Sequence, residues 1–333
     1  MNKKLIFLRD PWDDVENHDS GWGNRLLCWE VVNIINRSLG GNHVIKVLPK
    51  EYPELTIVDF PNTEYINLKE EKLIPITSEI ITGWIKNKKI EINPELSYTT
   101  SYSFKQAIDF VETFYKKEYD LIPKLQLKNK KLDKNLRLFF KDKIGIHIRR
   151  GNGVHLDNDD KFTIPRGYMK YYRLCPECDK AYPFIRDEIY FDIIDNFLKK
   201  DKDVKFFIGI DVNEKAIEYY KEKYRNKIIT CKDVIKDNKK LLEEIKFLEP
   251  RLQLADMGKI ILDFFSLAYC KKIIPSPASS WSYMAIRVLS KYKSFKSFYN
   301  LSDTLHLERN KLVYSNTNNN GYKKQHILKS NII

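Results

Sequence analysis

The sequence lacks the features that mark several large protein classes. It has no long apolar run. Leu5-Ile-Phe-Leu8 stops at Arg9-Asp10-Pro11, and the stretch around Ile260-Ile-Leu262 and Phe264-Phe265 is broken by Asp263. A spanning helix needs about 20 consecutive apolar residues, and a signal peptide needs a longer apolar core than Leu5–Leu8. The expectation is a soluble, cytoplasmic chain. Cysteine is sparse and odd in number: Cys28, Cys175, Cys178, Cys231 and Cys270 suggest no disulfide framework. Cys175-Pro-Glu-Cys178 has the spacing of half a zinc site, but neither a second cysteine pair nor a His-x-x-x-His accompanies it. The reading is reduced cysteines in an insertion, and no metal site. A Walker loop, a complete G-x-G-x-x-G fingerprint and the helix-turn-helix, zinc-finger and RNP patterns are also missing.

What is present is a globular composition. Of 333 residues, 43% are hydrophobic and 13% aromatic, enough for a substantial core and against a disordered chain. The length exceeds one ordinary core and suits two domains. The net charge of +13 admits nucleic acid, an anionic membrane face or phosphorylated substrates as partners. The lysines are interspersed with Asn and Ile, as in Lys128-Asn-Lys-Lys131 and Asn238-Lys-Lys240, the look of a compositional bias. No nucleic-acid partner is expected, and a peripheral membrane contact through a basic face stays open.

Periodicity organises the chain into two α/β halves. Leu5–Leu8 reads as a strand, and a polar loop runs from Arg9 to Gly23. Leu26, Leu27, Val31, Ile34, Ile35 and Leu39 recur at helical spacing, which predicts an amphipathic helix. Gly40-Gly41 ends that helix, and His43–Leu48 is the next strand, giving a βαβ unit with parallel strands. Residues 50–140 are less distinct, with a helical pattern over Ser103–Tyr115. From Ile144 the alternation resumes. Strands are predicted at Gly145–Ile148, Val204–Ile210, Ile228–Cys231 and Lys272–Ile274. Helices are predicted at Tyr190–Leu198, Glu214–Tyr224, Met257–Ala268 and Ser279–Leu289. The expected domains are 1–140, 141–295 and a loose polar extension, 296–333.

In open parallel sheets ligands bind beyond the carboxyl ends of the strands, and the unusual residues fall there. His147-Ile-Arg-Arg150 leads into Gly151-Asn-Gly153. Strand alternation directs His147 and Arg149 to one face and Arg150 to the other. A guanidinium at a strand end can fork onto a phosphate, and the glycines allow close backbone approach; the alternative is a buried arginine–carboxylate pair. Asp263, inside an apolar helix, needs a partner if buried. The hydroxyl-rich turn Ser276–Ser282 either holds a phosphate at a helix start or simply caps the helix through Ser279 or Ser280. In the first half, Gly21 and Gly23 suit a tight turn, and Asn24 and Arg25 offer donors to an anion.

Together these stretches resemble a known family. His147-Ile-Arg-Arg150 is similar to the His-x-Arg-Arg motif shared by α1,2- and α1,6-fucosyltransferases, bacterial Nod-factor fucosyltransferases and, more loosely, protein O-fucosyltransferases. Val204–Asp211, a strand ending in Asp, resembles their second motif. Ile260-Ile-Leu-Asp263 through Ser279-Ser-Trp-Ser282 resembles the third. Gly21-Trp-Gly-Asn-Arg25 is similar to the Gly-x-x-Asn turn that opens these enzymes. The resemblance covers the first forty residues and roughly 144–289.

It implies a GT-B architecture: two Rossmann-like, doubly wound α/β domains facing a cleft. It further implies an inverting, metal-independent transfer of fucose from GDP-fucose, the donor substrate, to a glycan or glycoconjugate hydroxyl, without a cofactor. By position, Arg149 would contact the β-phosphate and assist departure of GDP. His147 and Asp263 would lie by the guanine and ribose, and Ser279 and Ser280 by the phosphates. Arg150 and Asp211 complete the donor-binding set, with Asn24 reaching across from the first domain. The general base falls at Asp157, with Asp159 and Asp160 close behind, although a solvated acidic loop fits that stretch equally well. Asn152 stands where many relatives have Asp. A GT-B enzyme using another nucleotide sugar is the alternative reading, followed by a non-catalytic nucleotide- or nucleic-acid-binding protein.

Overall fold

The computed structural model describes residues 4–8, 22–49, 53–66, 73–101, 104–115, 125–148, 155–156, 162–163, 187–210, 214–231, 233, 257–275 and 279–290. It is a mixed α/β protein built on parallel sheets. The chain divides into two compact units, Met1–Asp133 with Ile245–Ile261 and Lys134–Glu244 with Leu262–Ile333.

The first unit begins with β1 (Leu5–Phe7), α1 (Trp22–Ser38) and β2 (Val44–Val47). β1 and β2 pair in parallel, Leu5 opposite Val44 and Phe7 opposite Lys46, so the βαβ unit read from the sequence is present. The helix ends where the glycine pair predicts. Gly40 and Gly41 have φ of 86° and 76°, and the Gly41 amide donates back to the Asn36 carbonyl at 2.8 Å. Asn36 then ties the turn to the next strand. Its Nδ2 donates to the His43 carbonyl at 2.8 Å, and its Oδ1 accepts from the His43 amide at 3.1 Å.

In two respects α1 departs from the sequence reading. It starts at Trp22, so Gly23 is helical and makes no turn. It is also not amphipathic in the usual sense, because Arg25, Glu30, Asn33 and Asn36 are as buried as its apolar residues.

The remaining strands are β3 (Val58–Asp59), β4 (Thr63–Tyr65), β5 (Ile74–Thr77), β6 (Tyr98–Ser101) and β7 (Gln126–Leu127). The helices are α2 (Ser78–Asn87), α3 (Phe104–Tyr115) and α4 (Lys130–Phe140), the last passing into the second unit at Lys134. The main sheet has the order β4-β2-β1-β6-β5, with every pairing parallel.

The second unit contains β8 (Ile144–Ile148), a short antiparallel pair β9 (His155–Leu156) and β10 (Phe162–Thr163), α5 (Asp187–Lys200) and β11 (Phe206–Ile210). It continues with α6 (Glu214–Tyr224), β12 (Ile228–Ile229), α7 (Met257–Tyr269), β13 (Lys272–Ile274) and α8 (Ser280–Ser290). Its sheet is wholly parallel in the order β12-β11-β8-β13. All helices and strands predicted beyond residue 144 are present, with ends shifted by a few residues.

The central strand β8 reads Ile-Gly-Ile-His-Ile and is buried throughout. Its three isoleucines join Tyr190, Ile194, Phe206 and Tyr220 in one apolar cluster, which places α5 and α6 on that face. The opposite face is lined by Gly145 and His147 and is covered by α7 and α8. Gly145 is needed for this approach. A Cβ there would lie 2.5 Å from Leu267 Cδ1 and 3.0 Å from Cys270 Sγ, both on fully buried residues at the end of α7. Gly145→Ala should therefore overpack the core and lower the unfolding free energy by about 1–3 kcal/mol, measured by denaturant titration. Unchanged stability would show that α7 packs less closely than described.

Candidate active site at the carboxyl ends of the second sheet

The strand order of the second unit defines where a ligand can sit. From β8 the chain moves to β11 and β12 on one side, then crosses to β13 on the other. The helices change face at the same crossing. The carboxyl ends of β8 and β13 thus flank a topological switch point, where connections diverge to opposite faces and leave a crevice. His147 lies near the end of β8, and Ser279–Ser282 follow β13.

His147 is 2% exposed and held from three directions. Its Nδ1 is hydrogen-bonded to the Ser282 hydroxyl on α8. Its ring packs on Trp281, with centroids 4.4 Å apart and planes at 41°. Its backbone carbonyl accepts a hydrogen bond from the Tyr190 hydroxyl on α5 at 3.4 Å. Trp281 is itself positioned. It meets Phe264 of α7 edge-on at 5.6 Å and lies across Gly209 of β11, where a Cβ would come within 3.2 Å of the indole. Gly209 is the register partner of His147. The absent side chain leaves the indole room to reach the imidazole of the neighbouring strand, and a Cβ there would push the indole by a few tenths of an ångström.

Asp263 is buried in the middle of α7. It sits one helical turn before Leu267, the residue packed over Gly145, and so shares its sheet-facing side. Four helical residues rise about 6 Å and two strand residues about 6.6 Å. Because α7 leads directly into β13, it runs against the strands, and Asp263 is level with His147 on the same face. Ser279 is the N-cap of α8: its Oγ accepts from the Ser282 amide at 3.4 Å. The capping reading of this turn therefore holds for Ser279, and the Ser282 hydroxyl is turned to His147.

Of the residues singled out from sequence, Ser279 caps the helix whose Ser282 holds His147, and Asp263 is buried on α7, one turn before the leucine packed over Gly145. Asn24 lies in the first turn of α1 and Ser280 opens α8, their side chains falling outside the described set. Arg149, Arg150, Asp157, Asp159, Asp160 and Asp211 lie outside the described residues, as do Asn152, Cys175, Cys178 and the C-terminal extension. Sequence reasoning missed Ser282, Trp281 and Gly209 as supports of His147. An interior strand glycine such as Gly209 is itself a sign of close approach, and it was the available signal. Among the described residues there is no cluster of metal-ligating side chains, and no helix is long and apolar enough to cross a membrane.

Arg25 requires a correction. The sequence offers it as a donor to an anion, but it is 1% exposed and forms an ion pair with Glu54, which is fully buried in the 3₁₀ turn Pro53–Thr56. Burial, with the Glu54 charge second, pushes the nearby Tyr65 phenol up to about 12, against a backbone hydrogen bond at Thr56 that lowers it. The guanidinium serves the fold of the first unit.

No protein-family profile matches the chain, and no curated protein matches it. Among solved structures it is similar to the fucosyltransferase NodZ from Bradyrhizobium, at 10% identity over 85% of this chain and 93% of that one, with a TM-score of 0.42. The NodZ α-1,6-fucosyltransferase soaked with GDP-fucose superposes with a TM-score of 0.45, at 10% identity over 86% and 93% of the two chains. An Arabidopsis thaliana FUT1 variant in complex with GDP is 11% identical over 86% of this chain and 68% of that one, with a TM-score of 0.43.

Removing one member of the buried pair, as in Arg25→Ala or Glu54→Ala, should cost about 3–5 kcal/mol of stability, because the other charge is left buried. The double change Arg25→Met with Glu54→Leu should recover most of that in the same denaturation experiment. An Arg25→Ala protein of unchanged stability would return Arg25 to the list of ligand-binding candidates.

Proposed function

We propose that this protein is a glycosyltransferase that transfers fucose from GDP-fucose to a hydroxyl of a glycan or glycoconjugate, with inversion and without a metal ion. The observation that carries the reading is the position of His147. It lies one residue before the end of β8, at the switch point of a parallel sheet, beside the Ser279–Ser282 turn. A nucleotide diphosphate bound there meets the amide-rich start of α8 and the arginines that follow Ile148. The resemblance of these stretches to fucosyltransferase motifs supplies the sugar.

In this mechanism Arg149 holds the β-phosphate and neutralises the charge that develops as the bond between fucose and GDP breaks. Arginine's fixed fork of donors suits a diphosphate oxygen pair. Preorganised donors aimed at a leaving group contribute most where water is excluded. Asp157 takes the proton from the attacking acceptor hydroxyl. Asp263 and His147 face the nucleoside, with the imidazole orientation set by Ser282 and Trp281. Ser279, Ser280, Arg150 and Asp211 line the donor subsite. The reaction is proposed to take place in the cytoplasm.

The test is donor-dependent release of GDP by the wild-type chain and by Arg149→Ala. GDP-fucose should be turned over in preference to GDP-mannose and UDP-sugars, and chelator should leave the rate unchanged. Arg149→Ala should lower kcat by about 10²–10³-fold, the usual cost of removing one donor to developing charge. Arg149→Lys, which keeps the charge and loses the fork, should fall between. Turnover of a different nucleotide sugar alone would replace the donor. Near-wild-type activity of Arg149→Ala would remove the proposed role of that residue.

A further inference from the structure

The opposite end of the second sheet carries an unassigned charge pattern. In each of its four strands the residue immediately before the first paired position is a lysine: Lys143 before β8, Lys205 before β11, Lys227 before β12 and Lys271 before β13. The strands are parallel and in register, Ile144 opposite both Phe206 and Lys272, and Phe206 opposite Ile228. All four lysines therefore stand at one level. Backbone hydrogen bonds hold them there, from the Ile144 amide to the Lys205 carbonyl at 3.0 Å and from the Lys271 amide to the Lys143 carbonyl at 2.7 Å. With strands about 4.8 Å apart, the row runs straight for about 14 Å. Lys205 and Lys271 are exposed, and Lys143 and Lys227 half-buried.

The row is crowded with like charge. Lys272 lies half-buried behind it, its ammonium 5.4 Å from the Phe197 ring centre. Burial first, then Lys200 and Lys271, push its pKa below the usual lysine value. Among the described residues, carboxylates are present at Asp142, Asp201 and Asp203, all exposed, and of these Asp203 approaches a lysine of the row, 3.8 Å from Lys227 Nζ. The row does not serve the nucleotide. It lies at the amino ends of the strands, about 13 Å from His147 along β8.

From this alignment we infer that the amino-terminal edge of the second sheet is a docking surface for an anionic phospholipid bilayer. A row of lysine positions level with one another, two of them exposed, fits a planar, diffuse array of negative headgroups; the Lys227 ammonium also donates to the Lys202 carbonyl, and the Lys143 ammonium lies 5.8 Å from the Phe139 ring centre. Such attraction needs point charges more than forked donors. Sequence-reading or single-strand recognition of a nucleic acid would add base-edge contacts or stacking rings to such a row. Docked this way, the carboxyl ends of the strands face away from the bilayer. The inference does not depend on which sugar nucleotide the site takes.

The experiment is co-sedimentation of the full chain with vesicles of phosphatidylcholine alone and with about one third phosphatidylglycerol, at low and high salt. Binding is expected to the anionic vesicles only and to be lost at high salt. Lys205→Gln with Lys271→Gln should weaken it about 30-fold, about 1 kcal/mol for each lysine. The control, Lys86→Gln with Lys131→Gln, removes two exposed lysines outside this edge and should change binding by less than about 3-fold. Three results would overturn the inference: no binding to anionic vesicles, equal weakening in both double variants, or tighter edge-dependent binding to a DNA duplex than to vesicles.

Discussion

A parallel strand in the middle of a sheet has to be covered on both faces, and β8 meets this constraint with two different chemistries. Its isoleucines pack into the apolar cluster under α5 and α6. Its other face has almost no side chain at Gly145, which lets α7 come into contact, and then a polar one at His147. The close approach at Gly145 sets the height of α7. That height puts Asp263 level with the imidazole and Phe264 against Trp281. The candidate site is thus a consequence of how the second unit packs, and a change at Gly145 would be felt by residues that never touch it.

The same logic separates residues that serve the site from those that serve the fold. His147 is buried, but its neighbours fix its orientation and leave it at the ligand-facing end of the strand. Arg25 is equally buried and equally polar, yet it is consumed by Glu54 inside the first unit. Both look alike as polar residues beside glycines in the sequence. What separates them is the partner: a hydroxyl and a ring hold an imidazole in place, whereas a carboxylate neutralises a guanidinium outright.

Legibility was uneven along the chain. The second unit was readable because its strands are short, fully buried and separated by helices with a regular apolar repeat. In the first unit, β5 includes Pro75, which weakens any strand reading. The structure places it at the sheet edge, where the lost amide matters least. Gly83 interrupts the pattern of α2. Helix α4, which runs on into the second unit, buries only Leu132, Leu136 and Phe140 among its apolar positions, within a run rich in Lys and Asn. Strands β3 and β7, two residues each, are too short to show any alternation. In α1 the buried Glu30, Asn33 and Asn36 hid how fully that helix is enclosed.

By itself the sequence determined the alternation of strands and helices in the second half, the C-terminal end of α1, the start of α8, and the stretch at which chemistry should be sought. Each of these rests on local physics: side-chain periodicity, the backbone freedom of Gly40 and Gly41, and hydroxyl capping at Ser279. Only the tertiary structure decided the strand order, and with it the switch point beside His147. It alone paired Arg25 with Glu54, set Ser282 and Trp281 around the imidazole, and aligned four lysines separated by up to 128 positions in the chain. The physical reason is common to all of these. They depend on which distant strands become neighbours, and that is settled by burying both faces of the sheet at once, a condition no short stretch of sequence contains.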